Sequence, residues 1–286
     1  RLRKEHHVNA TLRNRLLTAG LVAALGLGFG FAQSSVERHQ QNGITIATAN
    51  EIPYGWVDNG AARGIAPEVA TAVLESMGIT DIEWVVTEFG SLIPGLIANR
   101  FDLVAASQAV LPARCEQVAF SKINSSYGEG FLVAAGNPKD IHSYDDFVEN
   151  PDLKMGIVSG ADQLDFAQAY GLTERQIVPL NANADAPSAL TAGRIDAYAA
   201  TGLTVVGLAE GNARVEVAAD FVDPVVDGET VRSYGAFTFS QDDAEFMAAF
   251  DEALAAFQET QAYRDILLSH GLTDQDIDAA LGASTA

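Results

Sequence analysis

The chain has 286 residues, 48% of them hydrophobic, with 38 acidic against 17 basic side chains and a formal net charge of −21. That length and apolar content suit one large or two ordinary domains around a packed core and exclude a fibrous or disordered chain. The acidic surplus excludes nucleic acid and anionic membrane surfaces as partners, since both need basic patches.

Residues 1–10, with His6 and His7, read as an upstream extension. Arg13 and Arg15 then precede an apolar run from Leu16 to Phe31, and Gly30-Phe31-Ala32 supplies small residues for cleavage. Residues 1–32 are therefore expected to be a secretory signal peptide, too short for a bilayer span. No cysteine follows the cleavage site, so a periplasmic protein without a lipid anchor is expected. Residues 33–42 read as a polar, flexible start.

From residue 43 the pattern alternates between strand and helix. Ile44–Ala49 is a β-rich run, and Asp58-Asn59-Gly60 marks a turn. Pro67-Glu68 opens a helix with Val69, Val73, Leu74 and Met77 on one face, closed by Gly78. Ile82–Val86 is a second strand. Ser91 is placed to cap a helix through Leu92, Ile93, Leu96 and Ile97. Phe101–Ala106 is a buried strand, and Pro112 suits the first turn of another helix. Ser107, Gln108 and Ala109 then fall in a loop at the carboxyl end of a strand, with Arg114 close behind, where open α/β sheets bind ligands. Cys115, the one cysteine, reads as a small core residue.

A second unit repeats the design. Lys154–Val158, Ile177–Leu180, Ala197–Ala200 and Val215–Ala218 read as strands with helices between them. Gly193-Arg-Ile-Asp196 answers Asn99-Arg-Phe-Asp102. Tyr234–Phe239 returns the chain to the first unit, and three helical segments close it. The expected fold is α/β with two lobes, each a mostly parallel sheet flanked by helices. Lobe 1 would hold residues 43–133 and 235–286, and lobe 2 residues 134–234. The chain would cross near Val133–Gly136 and Val231–Gly235, a two-strand hinge.

IPGLIANRFDLVAAS…LPARCEQVAFS resembles the solute-binding proteins of polar amino-acid ABC transporters, with Leu111 in place of the usual threonine before Pro112. With ANEIPYG and TEFGSLIPGL added, the sequence is most similar to the ectoine- and hydroxyectoine-binding subfamily, over about residues 43–282. The resemblance implies a type II periplasmic-binding-protein fold, a membrane permease as partner, a small zwitterion in the interlobe cleft, no cofactor and no metal. A monomer is expected.

Ten residues are candidate ligand contacts: Glu51, Tyr54, Phe89, Ser107, Ala109, Arg114, Ser159, Gly160, Asp162 and Thr201. The planar donor pair of a guanidinium matches a carboxylate, although a surface arginine fits the Arg114 sequence equally well. The resemblance assigns Arg114 to the ligand carboxylate. It likewise assigns Glu51 to ring nitrogens, and Tyr54 and Phe89 to the faces of a delocalised cation. Ser159 and Gly160 could offer backbone N–H groups at a helix start.

Three positions depart from the pattern. Ala109 stands where ectoine binders place a third aromatic, so Trp56 or Tyr234 is expected to fill in. Asp162 replaces a threonine and would repel a ligand carboxylate unless turned away or paired. Thr201 replaces an aspartate that takes an α-ammonium, which argues against an ordinary α-amino acid and fits a cyclic amidinium. Another amino acid or a betaine is the alternative ligand. The sensor domain of a receptor is disfavoured, because no second hydrophobic span precedes Ala286. An enzyme similar to cyclohexadienyl or arogenate dehydratases would need a cleft acid, a part open to Glu51 or Asp162.

Overall fold

A computed structural model describes residues 34–283, so the expected signal peptide lies outside the described residues. In chain order the first elements are α1 (Ser35–Asn42), β1 (Ile44–Thr48), the hairpin β2 (Trp56–Asp58) and β3 (Ala61–Arg63), α2 (Ile65–Ser76) and β4 (Ile82–Val86). Next come α3 (Leu92–Ile97), β5 (Leu103–Ala109), α4 (Pro112–Cys115), β6 (Ala119–Tyr127) and β7 (Glu129–Ala134). The middle of the chain forms α5 (Asp145–Glu149), β8 (Met155–Val158), α6 (Gln163–Ala169), β9 (Ile177–Leu180), α7 (Ala186–Thr191), β10 (Ala197–Thr201) and α8 (Gly202–Ala209). β11 (Val215–Val217), the short pair β12 (Val225–Val226) and β13 (Glu229–Thr230), β14 (Ser233–Phe239), α9 (Ala244–Gln258), α10 (Gln261–Ser269) and α11 (Asp274–Gly282) complete it.

Two five-stranded sheets result, ordered β4-β1-β5-β14-β6 and β11-β7-β10-β8-β9. In each, four strands run one way and one runs against them: β14 in the first sheet and β7 in the second. Each reversed strand is the one by which the chain arrives from the other sheet. Alternate residues of β5 face opposite helical layers. Leu103 and Ala105 join a core with α2, α9 and α10, while Val104 and Ala106 join one with Leu92, Leu96 and Ala280. That is why the strand reads as a continuous apolar run. In the second sheet Ala197 and Ala199 pack toward Phe147 and Phe166, and Tyr198 and Ala200 toward Ala189 and Leu190.

The echoed Asn-Arg-Phe-Asp and Gly-Arg-Ile-Asp motifs do the same work in both lobes. The Asp102 carboxylate accepts from Thr45 N at 2.9 Å while Asp102 N donates to Thr45 O at 2.8 Å. Asp196 repeats both bonds with Lys154, each at 2.8 Å. Asp102→Ala or Asp196→Ala is expected to cost about 1–2 kcal/mol by removing one such bond, read as a lowered urea midpoint at unchanged slope.

Several expectations are corrected. Residues 35–42 are helical rather than flexible, because Ser34 and Glu37 form a capping box and His39 is buried against Phe246. The first crossing falls at Gly128, since β7 already belongs to the second sheet, so a boundary at 133/134 lies inside a strand's end rather than at the hinge. Ser91 makes no side-chain cap; a 3-10 turn at Phe89–Ser91 leads into α3 instead. β5 runs on through Ala109, so Ser107 and Gln108 are strand residues. Cys115 is exposed, because on the short α4 the inward position belongs to Arg114.

Candidate functional site

Glu51 and Tyr54 sit in a tight loop after β1. Glu51 and Gly55 exchange backbone hydrogen bonds of 2.9 and 2.8 Å. A Cβ on Gly55 would lie 2.3 Å from Thr48 Oγ1, so a side chain there has no room and the loop folds flush on the sheet. Tyr54 is thereby fully buried, edge-on to Tyr127 with ring centroids 5.0 Å apart. Ser107 lies in the left-handed region at φ 47°, where the β5–β14 register shifts. Such a bulge re-aims a side chain, and the Ser107 carbonyl accepts from Tyr127 Oη at 2.9 Å.

The lobes are in contact. A Cβ on Gly90 would meet Ser159 O at 2.8 Å, and one on Gly160 would meet Gly90 Cα at 3.0 Å. Between the lobes lies a cavity. Glu51, Tyr54, Phe89, Ser107, Ala109, Asp162 and Thr201 all line it, together with Tyr127, Gln163, Asn183 and Tyr198. Two aromatics beyond those expected, Tyr127 and Tyr198, line it. Trp56 packs on His270 and Tyr234 lies against the core around Leu92; neither lines the cavity. Tyr198 is fixed by donating from its hydroxyl to Asn183 Oδ1.

Arg114, Ser159 and Gly160 stand behind the wall. Arg114 is 7% exposed, lies 5.7 Å from the Phe89 ring centroid, and donates to Ala109 O and Gly160 O, both at 2.8 Å. It thus links the lobes. Ser159 N donates to Leu180 O at 2.9 Å, and α6 begins only at Gln163, so Ser159 offers no free helix-start N–H. Gly160 contributes its carbonyl instead.

A hydroxyl relay also spans the cleft: Thr201 Oγ1 donates to Thr204 Oγ1 at 2.7 Å, which donates to Glu51 Oε1 at 2.9 Å. Burial in the closed cleft pushes the Glu51 carboxyl up from 4.5 to about 7; Asp162 adds to the rise, while Thr204, Arg114 and Asn183 oppose it. The folded value lies above the unfolded one. The contribution of Glu51 to stability is therefore complete below pH 4.5 and is lost as pH rises through about 7. A cationic group bound against Glu51 favours the ionised form. Affinity for a cation-bearing ligand is expected to rise between about pH 6 and pH 8, with proton release at pH 7. Calorimetry in two buffers of different ionisation enthalpy reads that proton, and Glu51→Gln should abolish it.

Among the described residues no cluster of His, Cys, Asp and Glu could hold a metal ion, and no helix is long and apolar enough to cross a membrane.

The profile of the bacterial extracellular solute-binding proteins, family 3, matches residues 44–272. A probable amino-acid ABC transporter periplasmic-binding protein, y4tE of Sinorhizobium fredii, is 45% identical over 276 residues, covering 93% of this chain and 91% of that protein. The lysine/arginine/ornithine-binding periplasmic protein of Escherichia coli is 28% identical over 184 residues, 63% of this chain and 68% of that one. Among solved structures, EhuB in complex with hydroxyectoine superposes with a TM-score of 0.80 at 29% identity, covering 88% of this chain and 96% of that one. With its two α/β lobes closed over one cavity, the chain belongs to the bacterial extracellular solute-binding proteins, family 3.

Proposed function

We propose that the protein is the periplasmic substrate-binding component of an ABC importer, acting as a monomer. Its ligand is a small zwitterion, ectoine or hydroxyectoine first, held in the interlobe cleft. The observation that carries this reading is the cavity lining itself: Glu51 shares the wall with the aromatic side chains of Tyr54, Phe89, Tyr127 and Tyr198. A carboxylate and several aromatic side chains on one wall suit a delocalised cation, a face turned to it contributing about 0.5–2 kcal/mol once water is excluded. Arg114 stands beside Phe89 just behind the wall, with N–H groups left over from its bonds to the Ala109 and Gly160 carbonyls, and these would take the ligand's carboxylate as the wall adjusts to it; Thr201 brings no charge for a free ammonium. The similarity to EhuB supports the same ligand class.

A second reading, an amino acid with a cationic side chain, is favoured by one observation: Asp162 adds another acid to the wall. A thermal-shift panel separates the two. A ligand at a hundred times its dissociation constant stabilises by about 2.7 kcal/mol, so both ectoines should raise the melting temperature at millimolar concentration. If they leave it unmoved while arginine or lysine shifts it, the ectoine reading is wrong. The protein binds rather than catalyses, so prephenate and arogenate should survive incubation without yielding phenylpyruvate or phenylalanine.

A further inference from the structure

Asp162 faces the cavity from the second lobe, opposite Glu51 from the first. It is 6% exposed. One oxygen, Oδ2, accepts from Ser233 Oγ at 2.8 Å. Among the described residues no ion pair reaches it. Arg114, the cation of the site, is turned to the Ala109 and Gly160 carbonyls. The neighbouring acid Glu129 accepts from Gln163 Nε2 at 2.6 Å and does not line the cavity. Burial, then the charge of Asp162, pushes the Glu129 carboxyl well up.

A buried carboxylate without a counter-ion is costly, and closing the lobes brings this one toward a second. A further group on the same wall is the buried Tyr54 hydroxyl, which stands beside Thr201 but makes no hydrogen bond of good geometry among the described residues. The wall therefore presents two acceptors, one from each lobe, and an unused hydroxyl around one small space. What satisfies that set is a positive head carrying at least two N–H groups, directed to opposite sides.

We propose that Asp162 is a second anchor for the ligand's cationic head, so that the head is held between one carboxylate from each lobe. The proposal rests on the cavity being the solute site and deepens it, because it sets the chemical class. Amidinium, guanidinium and primary ammonium heads donate to both carboxylates through charge-assisted bonds. A quaternary ammonium has no N–H to donate and is rejected. Closure then depends on the ligand's charge: without it, Glu51 and Asp162 oppose each other across the cleft.

The test is calorimetry of ectoine, L-arginine and glycine betaine on the wild-type protein, Asp162→Asn and Ser233→Ala. The wild type should bind ectoine or L-arginine and not betaine. Asp162→Asn should weaken the N–H ligand by about tenfold or more, as loss of one charge-assisted bond implies, and narrow the gap to betaine. Ser233→Ala removes the hydrogen bond to Asp162 but keeps the carboxylate, and should stay within about threefold of wild type. Ectoine binding that Asp162→Asn leaves unchanged overturns this proposal and leaves the ectoine reading standing. L-arginine binding that weakens in Asp162→Asn, with no ectoine binding, overturns the ectoine reading alone. If Ser233→Ala loses as much as Asp162→Asn, Asp162 only positions the hinge and the proposal fails. Wild-type binding of betaine as tight as that of the N–H ligands overturns it too, and binding of none of the three overturns both readings.

Discussion

Arg114→Ala is expected to lower affinity for a carboxylate ligand by tens-fold to thousands-fold. Removing one partner of a desolvated charge pair costs about 2–5 kcal/mol, and each 1.4 kcal/mol is about tenfold in affinity. Two losses combine here. The ligand's carboxylate would lose its guanidinium, and the closed form would lose the bonds from Arg114 to Ala109 O and Gly160 O. Arg114→Lys separates them in part: it keeps the charge but cannot reproduce a planar fork with several fixed donors, so it should fall between wild type and Arg114→Ala. Titration calorimetry decides, and a loss below about threefold in Arg114→Ala would remove the arginine from the site.

Gly90→Val is the second large effect. Gly90 is exposed on the 3-10 turn of the first lobe, and its missing Cβ points at Ser159 O of the second, 2.8 Å away. A branched side chain there is a wedge between backbones, with nothing flexible to yield. Each lobe's own core is untouched, so the melting curve without ligand should scarcely move. Closing against the wedge should cost about 1–3 kcal/mol, the range for overpacking. Affinity should fall by about ten- to a hundredfold, and small-angle scattering should show the liganded protein less compact than wild type. Gly90→Ala should show a smaller loss. Wild-type affinity in Gly90→Val would mean that the lobes need not approach this closely to hold the ligand.

The order of elements was legible because apolar runs and Gly or Pro punctuation mark each strand and helix in turn. The short pairs β2/β3 and β12/β13 escaped, and of the strands in the two five-stranded sheets the one that escaped is β6, AFSKINSSY. Its Ser121, Asn124, Ser125 and Ser126 look like loop residues yet are wholly buried. Ser125 Oγ donates to Asn124 Oδ1, and long-range partners hold much of the strand: Ser121 Oγ accepts from Phe237 N, Ser126 Oγ donates to Asp276 O, and Tyr263 Oη donates to the Asn124 backbone O. No local pattern encodes those bonds. Missing β6 also displaced the first crossing, since without that strand nothing marks the break at Gly128 between β6 and β7. In the site, loop residues directly after a strand were visible as candidates, Glu51, Tyr54 and Phe89 among them. Tyr198, Asn183 and Gln163 were not, because Tyr198 sits inside the buried run AYAAT, Asn183 opens a short 3-10 turn and Gln163 is the first residue of α6. An aromatic inside an otherwise small-residue strand was the signal available.

The position of β14 has a consequence for how the molecule is built. It lies in the interior of the first sheet, between β5 and β6, yet is separated from both by the whole second lobe. The second sheet takes all its strands from one unbroken stretch, Glu129 to Val217. During synthesis that lobe is complete while the first still has two bare edges, on β5 and β6, waiting for residues 233–239. Pairings between such distant segments form slowly, and unpaired strand edges invite association with other chains. A chain stopped before Ser233 would thus carry one finished lobe and one sticky, half-made sheet.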